Sequence, residues 1–202
     1  ISDDPFRDFN KLTKHFKPFQ AASSPRSESA AIGKNTIIQP NCFIGNHVVI
    51  GDNCVIHPNV SIYDYTIIGN NVNIQAGTIL GASAFYYKKR PEGFDKLISG
   101  GRVVIENNVD LGASCTIDKG VTGDTTIKEG TKIDNQVHVG HDTVIGKKCL
   151  IASFLFHTSR DVFSSRSTIS LILFSMLLKP FPKSTELILK PLPLSIIEIT
   201  KF

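Results

Sequence analysis

IGKNTI-IQPNCF-IGNHVV-IGDNCV, residues 32–55, repeats one six-residue pattern four times. Each unit opens with Ile, and its fifth residue is small: Thr36, Cys42, Val48, Cys54. The same phase continues through Leu80, resumes at Ile105, slips by four residues over 123–126, and then runs from Ile127 to Ile151. Every first position in this register is Ile, Leu or Val. Such a period predicts a parallel β-helix, in which short strands stack coil upon coil. The aliphatic first residue and the small fifth residue face the core. Gly and Asn supply the turns between faces. Three units make one coil, and each coil touches mainly its neighbours, so stability is close to a sum of local terms. The expected class is an all-β solenoid with a short N-terminal helix and an atypical C-terminal tail.

The phase assigns the cysteines. Cys42, Cys54, Cys115 and Cys149 all stand on the fifth position, so they read as small buried apolar residues. No CxxC pair occurs, which argues against a zinc site or a disulfide framework. The net charge of +4 on 202 residues does not call for nucleic acid. The longest apolar run, ISLILFSMLL (169–178), is half of the roughly 20 residues a membrane span needs. No metal or other cofactor is expected.

Outside the repeat the chain changes character. DDPFRDFNKLTKHF predicts a short helix, with Asp4 as cap, Pro5 in the first turn, and Phe6, Phe9, Leu12 and Phe16 near one face. AASSPRSESA (21–30) reads as a linker. FYYKKRPEGFDKLISGGR (85–102) interrupts the repeat. It is aromatic and basic, suited either to contacting a ligand or to a surface excursion. After Ser153 the hexapeptide chemistry stops. Residues 154–202 contain no Gly and show no sustained periodicity, so this tail is expected to come from a shifted reading frame or gene-end remnant rather than a native C-terminal cap. The chain opens without a signal peptide and without Met, and is expected to be a fragment. The organisation is therefore 1–31 (helix and linker), 32–153 (β-helix with insertion 85–102) and 154–202 (tail).

Two histidines sit in the last repeats, IDNQVH and VGHDTV. Ile133, Val137, Val139 and Thr143 take the inward positions. His138 (sixth) and His141 (third) point outward, and spacing alone leaves either as a surface residue. His15, His47 and His57 have less to support a role.

The stretch CTIDKGVTGDTTIKEGTKIDNQVHVGHDTVIGKKCLIAS closely resembles the UDP-3-O-acylglucosamine N-acyltransferases of lipid A biosynthesis. It resembles the related UDP-N-acetylglucosamine O-acyltransferases less. The resemblance covers about residues 32–153, and DPFRDFNKL looks like the end of that family's N-terminal uridine-binding domain. The resemblance implies left-handed coiling and a homotrimer with active sites between neighbouring β-helices. It implies a cytoplasmic enzyme that moves a 3-hydroxyacyl chain from acyl carrier protein to the 2-amino group of UDP-3-O-(3-hydroxyacyl)glucosamine. It maps the general base onto His141 and the acidic residue of the IDNQ run onto Asp134. Asp142 is the alternative orienting carboxylate, and His138 is a bystander. Asn135, Gln136, Phe85 and Tyr86 are the implied substrate contacts. This chain has SAFYY (83–87) where the family has a GFGF-like run, and Lys119 where the family has Arg. The later coils of the family do not follow Ser153, and no role carries over to His157. Two other readings remain open: a hexapeptide acyltransferase with another nucleotide sugar or a CoA donor, and an inactive β-helix.

Overall fold

The computed structural model describes residues 2–153. Residues 154–202, with the expected tail and His157, lie outside the described residues.

The hexapeptide units become two-residue strands separated by tight corners, in three parallel sheets. The first holds Ala31–Ile32, Val49–Ile50, Ile67–Ile68, Arg102–Ile105, Asp124–Ile127 and Val144–Ile145. The second holds Ile37–Ile38, Val55–Ile56, Asn73–Ile74, Asp110–Leu111, Lys132–Ile133 and Leu150–Ile151. The third holds Phe43–Ile44, Ser61–Ile62, Ile79–Ala82, Thr116–Asp118 and His138–Val139. The fold is the left-handed parallel β-helix that the resemblance implied.

The register explains the period. Ile32, Ile50 and Ile68 stand directly over one another, 18 residues apart. The step from Ile105 to Ile127 is 22, so the four-residue slip is absorbed as an expansion of a single coil. First positions form the interior column: Ile44, Ile50, Ile56, Ile62, Ile74, Leu111 and Ile117 are at most 2% exposed. Burying each such side chain contributes roughly 1.5–3 kcal/mol. The fifth positions line the same interior, with Cys54, Val60, Thr66, Val72, Thr78 and Cys115 buried. Thr143 departs from that rule and is exposed.

Corners are made at the fourth position. Asn35, Asn41, His47, Asn53, Asn59, Tyr65, Asn71, Asn108, Ser114, Gln136, Asp142 and Lys148 all have φ between 55° and 64°, and Gly77 and Gly130 complete the set. Asn tolerates the left-handed region better than most residues, which accounts for its frequency here.

The flanks are more ordered than their sequence suggests. Helix α1, Pro5–Phe16, starts at Asp4, whose side chain accepts from the Arg7 N–H. Phe6 and Phe9 pack on Ala84, Leu97 and Val121. Leu12 and Phe16 stay exposed, so only half of the apolar face is used. Within the linker, Arg26 bridges to Ile44 and the Ser27 N–H donates to the Ile44 carbonyl. The 85–102 interruption contains a β-hairpin, Tyr87–Arg90 against Gly93–Lys96, and rejoins the first sheet at Arg102. No helix among the described residues is long and apolar enough to cross a membrane.

Candidate active site

His141 lies at the corner between the third and first sheets, just after the strand His138–Val139. As a third-position residue it turns away from the core, with its side chain 28% exposed. Its Nδ1 is 2.8 Å from Asp142 Oδ2. Its Nε2 has no hydrogen-bond partner among the described residues.

Asp142 is fixed from several sides. Its carboxylate accepts from the Val121 N–H at 3.0 and 3.1 Å and from the Gly123 N–H at 3.2 Å. Its own N–H donates to the buried Thr125 Oγ1 at 2.9 Å. Burial pushes the Asp142 carboxyl upward, but the bonds from His141 and from the Val121, Gly123 and Thr122 backbone outweigh it and hold the group below its ordinary value. The two amide donors, Val121 and Gly123, lie in the expanded coil immediately before the strand Asp124–Ile127. Gly120 is required there, because a Cβ would collide with the Gly123 carbonyl and come 2.9 Å from Asp142 Oδ1. The arrangement is an anionic carboxylate locked by backbone donors and holding one nitrogen of an imidazole. The other imidazole nitrogen is left for chemistry.

Of the two carboxylates weighed for His141, the one that touches it is Asp142. Asp134 instead accepts from the Asn135 N–H at 2.8 Å and from Ser153, through Oγ at 3.2 Å and N–H at 3.4 Å. Those bonds, the Asn135 N–H first, hold the Asp134 carboxyl low. The reason is positional: Asp134 stands on a corner of the second sheet, whereas Asp142 is the next residue along the chain from His141.

The expected substrate contacts divide. Tyr86 is brought to His141, with ring centroids 5.7 Å apart in a T-shaped pair. Phe85 is 85% exposed and packs against Tyr87 instead. Asn135 Oδ1 accepts from the Ala113 N–H at 2.6 Å, and Gln136 forms the left-handed corner. Within one chain, Asn135, Gln136 and Phe85 do not meet His141.

His138, read as a bystander, has a partner that the sequence did not reveal. Its Nε2 is 3.0 Å from Oδ2 of Asp118, whose side chain is only 8% exposed. Thr116 stands opposite His138 across the sheet, so Asp118 lies two residues up the neighbouring strand. The 22-residue coil step would have revealed this pairing. Lys119 follows at the next corner, where burial lowers its ammonium from the ordinary value. The cysteines are free. Burial pushes the Cys115 thiol up, which makes it a poor nucleophile.

The repeats and the coil define a left-handed parallel β-helix of hexapeptide units. The bacterial transferase hexapeptide (six repeats) matches residues 47–82 and 124–155, and the hexapeptide repeat of succinyl-transferase matches 102–122. Within that class the chain is similar to the UDP-3-O-acylglucosamine N-acyltransferases. It is 50% identical to that of Rhizobium etli over 74 residues, which are 37% of this chain and 21% of the relative. It is 57% identical to that of Bradyrhizobium diazoefficiens over 63 residues, 31% of this chain and 18% of the relative. The matched stretch thus spans about a fifth of the length of these relatives. Among solved structures, a UDP-N-acetylglucosamine acyltransferase from Bacteroides fragilis superposes with a TM-score of 0.56 at 30% identity, covering 65% of this chain and 50% of that one.

Proposed function

We propose that this chain carries the acyl-transfer centre of a UDP-3-O-acylglucosamine N-acyltransferase. The observation that carries the reading is the His141–Asp142 pair on an outward corner, with Nδ1 engaged and Nε2 without a partner among the described residues. The donor is a 3-hydroxyacyl thioester on acyl carrier protein, and the acceptor is the 2-amino group of UDP-3-O-(3-hydroxyacyl)glucosamine. The amine attacks the thioester carbonyl carbon, so that a C–N bond forms. His141 Nε2 takes the proton that the nitrogen sheds. The tetrahedral intermediate then breaks its C–S bond, and the imidazolium returns the proton to the departing thiolate. Asp142 fixes the tautomer that presents Nε2 and stabilises the imidazolium. A positioned base of this kind contributes roughly 10²–10⁴-fold. Neither a protein nucleophile nor a covalent acyl-enzyme is involved.

The site works at the boundary between copies of a cytoplasmic homotrimer. A row of outward side chains on the first sheet supports this: Ala31, Val49, Ile67, Val104, Thr126 and Val144 stand side by side on successive strands. Val49 and Val144 remain 44% and 60% exposed. Apolar residues at outward positions of consecutive strands suit burial against a neighbour.

The test is to incubate the purified chain with acyl carrier protein bearing a 3-hydroxyacyl group and with UDP-3-O-acylglucosamine, and to follow the amide product by mass spectrometry. The expected result is amide formation that disappears in His141→Ala. Unchanged turnover in His141→Ala would remove His141 from the mechanism. Preference for a CoA donor or for UDP-N-acetylglucosamine would move the assignment to a related acyltransferase.

A further inference from the structure

Tyr86 lies in SAFYY (83–87), where the resembling family has a GFGF-like run, and it is the aromatic ring on His141. The pair is reached from the far N-terminus of the chain. Phe6 on helix α1 packs against Tyr86, with centroids 6.3 Å apart and planes tilted by 32°. The Arg90 guanidinium and the Lys88 ammonium lie over the Phe6 ring at 5.7 and 5.9 Å.

Helix α1 is in turn clamped to the hairpin. Arg7 bonds Glu92 at 2.7 Å and Asp95 at 2.8 Å, and Arg90 bonds Asp4 at 2.7 Å and Asp95 at 3.1 Å. Asn10 bridges the hairpin's return strand in both directions, donating to the Lys96 carbonyl and accepting from the Ile98 N–H, each at 2.8 Å. Under this clamp, Phe6 and Phe9 share an apolar cluster with Ala84, Leu97 and Val121. Val121 is the residue whose N–H holds Asp142. The helix and hairpin therefore reach both groups that touch the imidazole, Tyr86 through Phe6 and Asp142 through Val121.

We infer that Tyr86 is a positioning residue for His141 and that helix α1 sets it through Phe6. This rests on the general-base reading given above. Asp142 engages the imidazole only at Nδ1. The Tyr86 ring, T-shaped against the imidazole, adds a second contact, while Nε2 makes no hydrogen bond among the described residues. The Tyr86 hydroxyl makes no hydrogen bond among the described residues, so the aromatic body rather than the oxygen carries the role. The active site then depends on residues about 80 and 135 positions upstream of where the clamp and the base lie in sequence, a coupling that no repeat pattern contains.

The experiment uses the full chain with ¹³C-labelled histidine, the His141 ring signals being assigned by their loss in His141→Gln. Tyr86→Ala is expected to shift the His141 Cε1–H and Cδ2–H resonances as the ring current disappears, and Tyr86→Phe is expected to leave them nearly in place. Phe6→Ala, and the surface change Arg7→Gln, are expected to move the same signals in the direction seen for Tyr86→Ala. In turnover, Tyr86→Ala is expected to lower kcat about tenfold at unchanged KM, with Tyr86→Phe restoring it. Tyr86 is 44% exposed, so its replacement does not threaten the fold. Unmoved His141 signals in Tyr86→Ala, a Tyr86→Phe variant as impaired as Tyr86→Ala, or an unchanged kcat in Tyr86→Ala would each overturn the inference. Absence of turnover in the unaltered chain would count against the general-base reading, and the ring signals alone would then decide the positioning role.

Discussion

An ordinary corner of this β-helix and the corner at His141 use the same six-residue frame in opposite ways. At five regular corners the third-position side chain is consumed by the fold. Asp52, Asp64, Asn70, Asn107 and Asn135 each accept from the backbone N–H of the third residue one coil earlier. At the His141 corner the earlier coil has four extra residues, and the capping moves one position along to Asp142. The third-position side chain is thereby released from structural duty and faces outward, its acceptor nitrogen without a partner among the described residues. A local expansion of the repeat turns a structural position into a chemical one, at no cost to the interior column of Ile117, Ile127 and Ile145.

Substitutions at the two kinds of corner should separate. The largest effect is expected for His141→Ala: turnover drops by about 10²–10⁴-fold, while the melting temperature barely moves, because a partly exposed side chain that caps no backbone group is removed. Asp142→Asn should follow, lowering kcat by at least about tenfold through loss of the fixed tautomer. A core change, Ile62→Ala, inverts the pattern. It should cost about 2–5 kcal/mol by denaturant unfolding, with activity per folded molecule retained, since Ile62 faces the interior and stands two strands from Ile117 in the third sheet. Asn70→Ala, at a regular corner, should cost about 1 kcal/mol for the lost cap and leave kcat alone. If Asn70→Ala impaired turnover as Asp142→Asn does, the two corners would not differ in the way described.

The smallest expected effect is on acid stability. The Asp142 carboxyl is held below its ordinary value when folded. Its contribution is therefore complete above the unfolded carboxylate range, about pH 4, and is lost as pH falls through the lower folded value. Asp4, Glu92 and Asp95 of the α1–hairpin clamp are shifted in the same direction by their bonds to Arg90 and Arg7. Melting temperature followed from pH 7 to pH 3 should fall more steeply for the unaltered chain than for Asp142→Asn, with the difference confined to the region below about pH 4.

The interior of the molecule was readable from sequence because the period is strict. Ile, Leu or Val every six residues leaves a single register that buries all of them, and the small fifth position follows from the tight corners. His141 and the slip at 123–126 were also visible, but their connection was not. That connection is made by backbone N–H groups of Val121 and Gly123, and sequence carries no signal for which side chain such groups will hold. Asp134 was the expected carboxylate by alignment of motifs. The fold gives the role in contact with His141 to Asp142, and turns Asp134 to Asn135 and Ser153. The contacts of Phe6, Tyr86 and the hairpin were likewise invisible. They join segments some 80 residues apart in a region without periodicity, where only packing determines the partner. The His138–Asp118 pair falls between these cases, since it could have been found by counting one coil back with the expansion included.

The measurement to make is the tautomer of the neutral His141 ring, read from its ¹⁵Nδ1 and ¹⁵Nε2 shifts in the intact chain. The account predicts a proton on Nδ1 and a bare Nε2, changing to a mixed state in Asp142→Asn. A proton on Nε2, or a tautomer that is the same in Asp142→Asn, would contradict it.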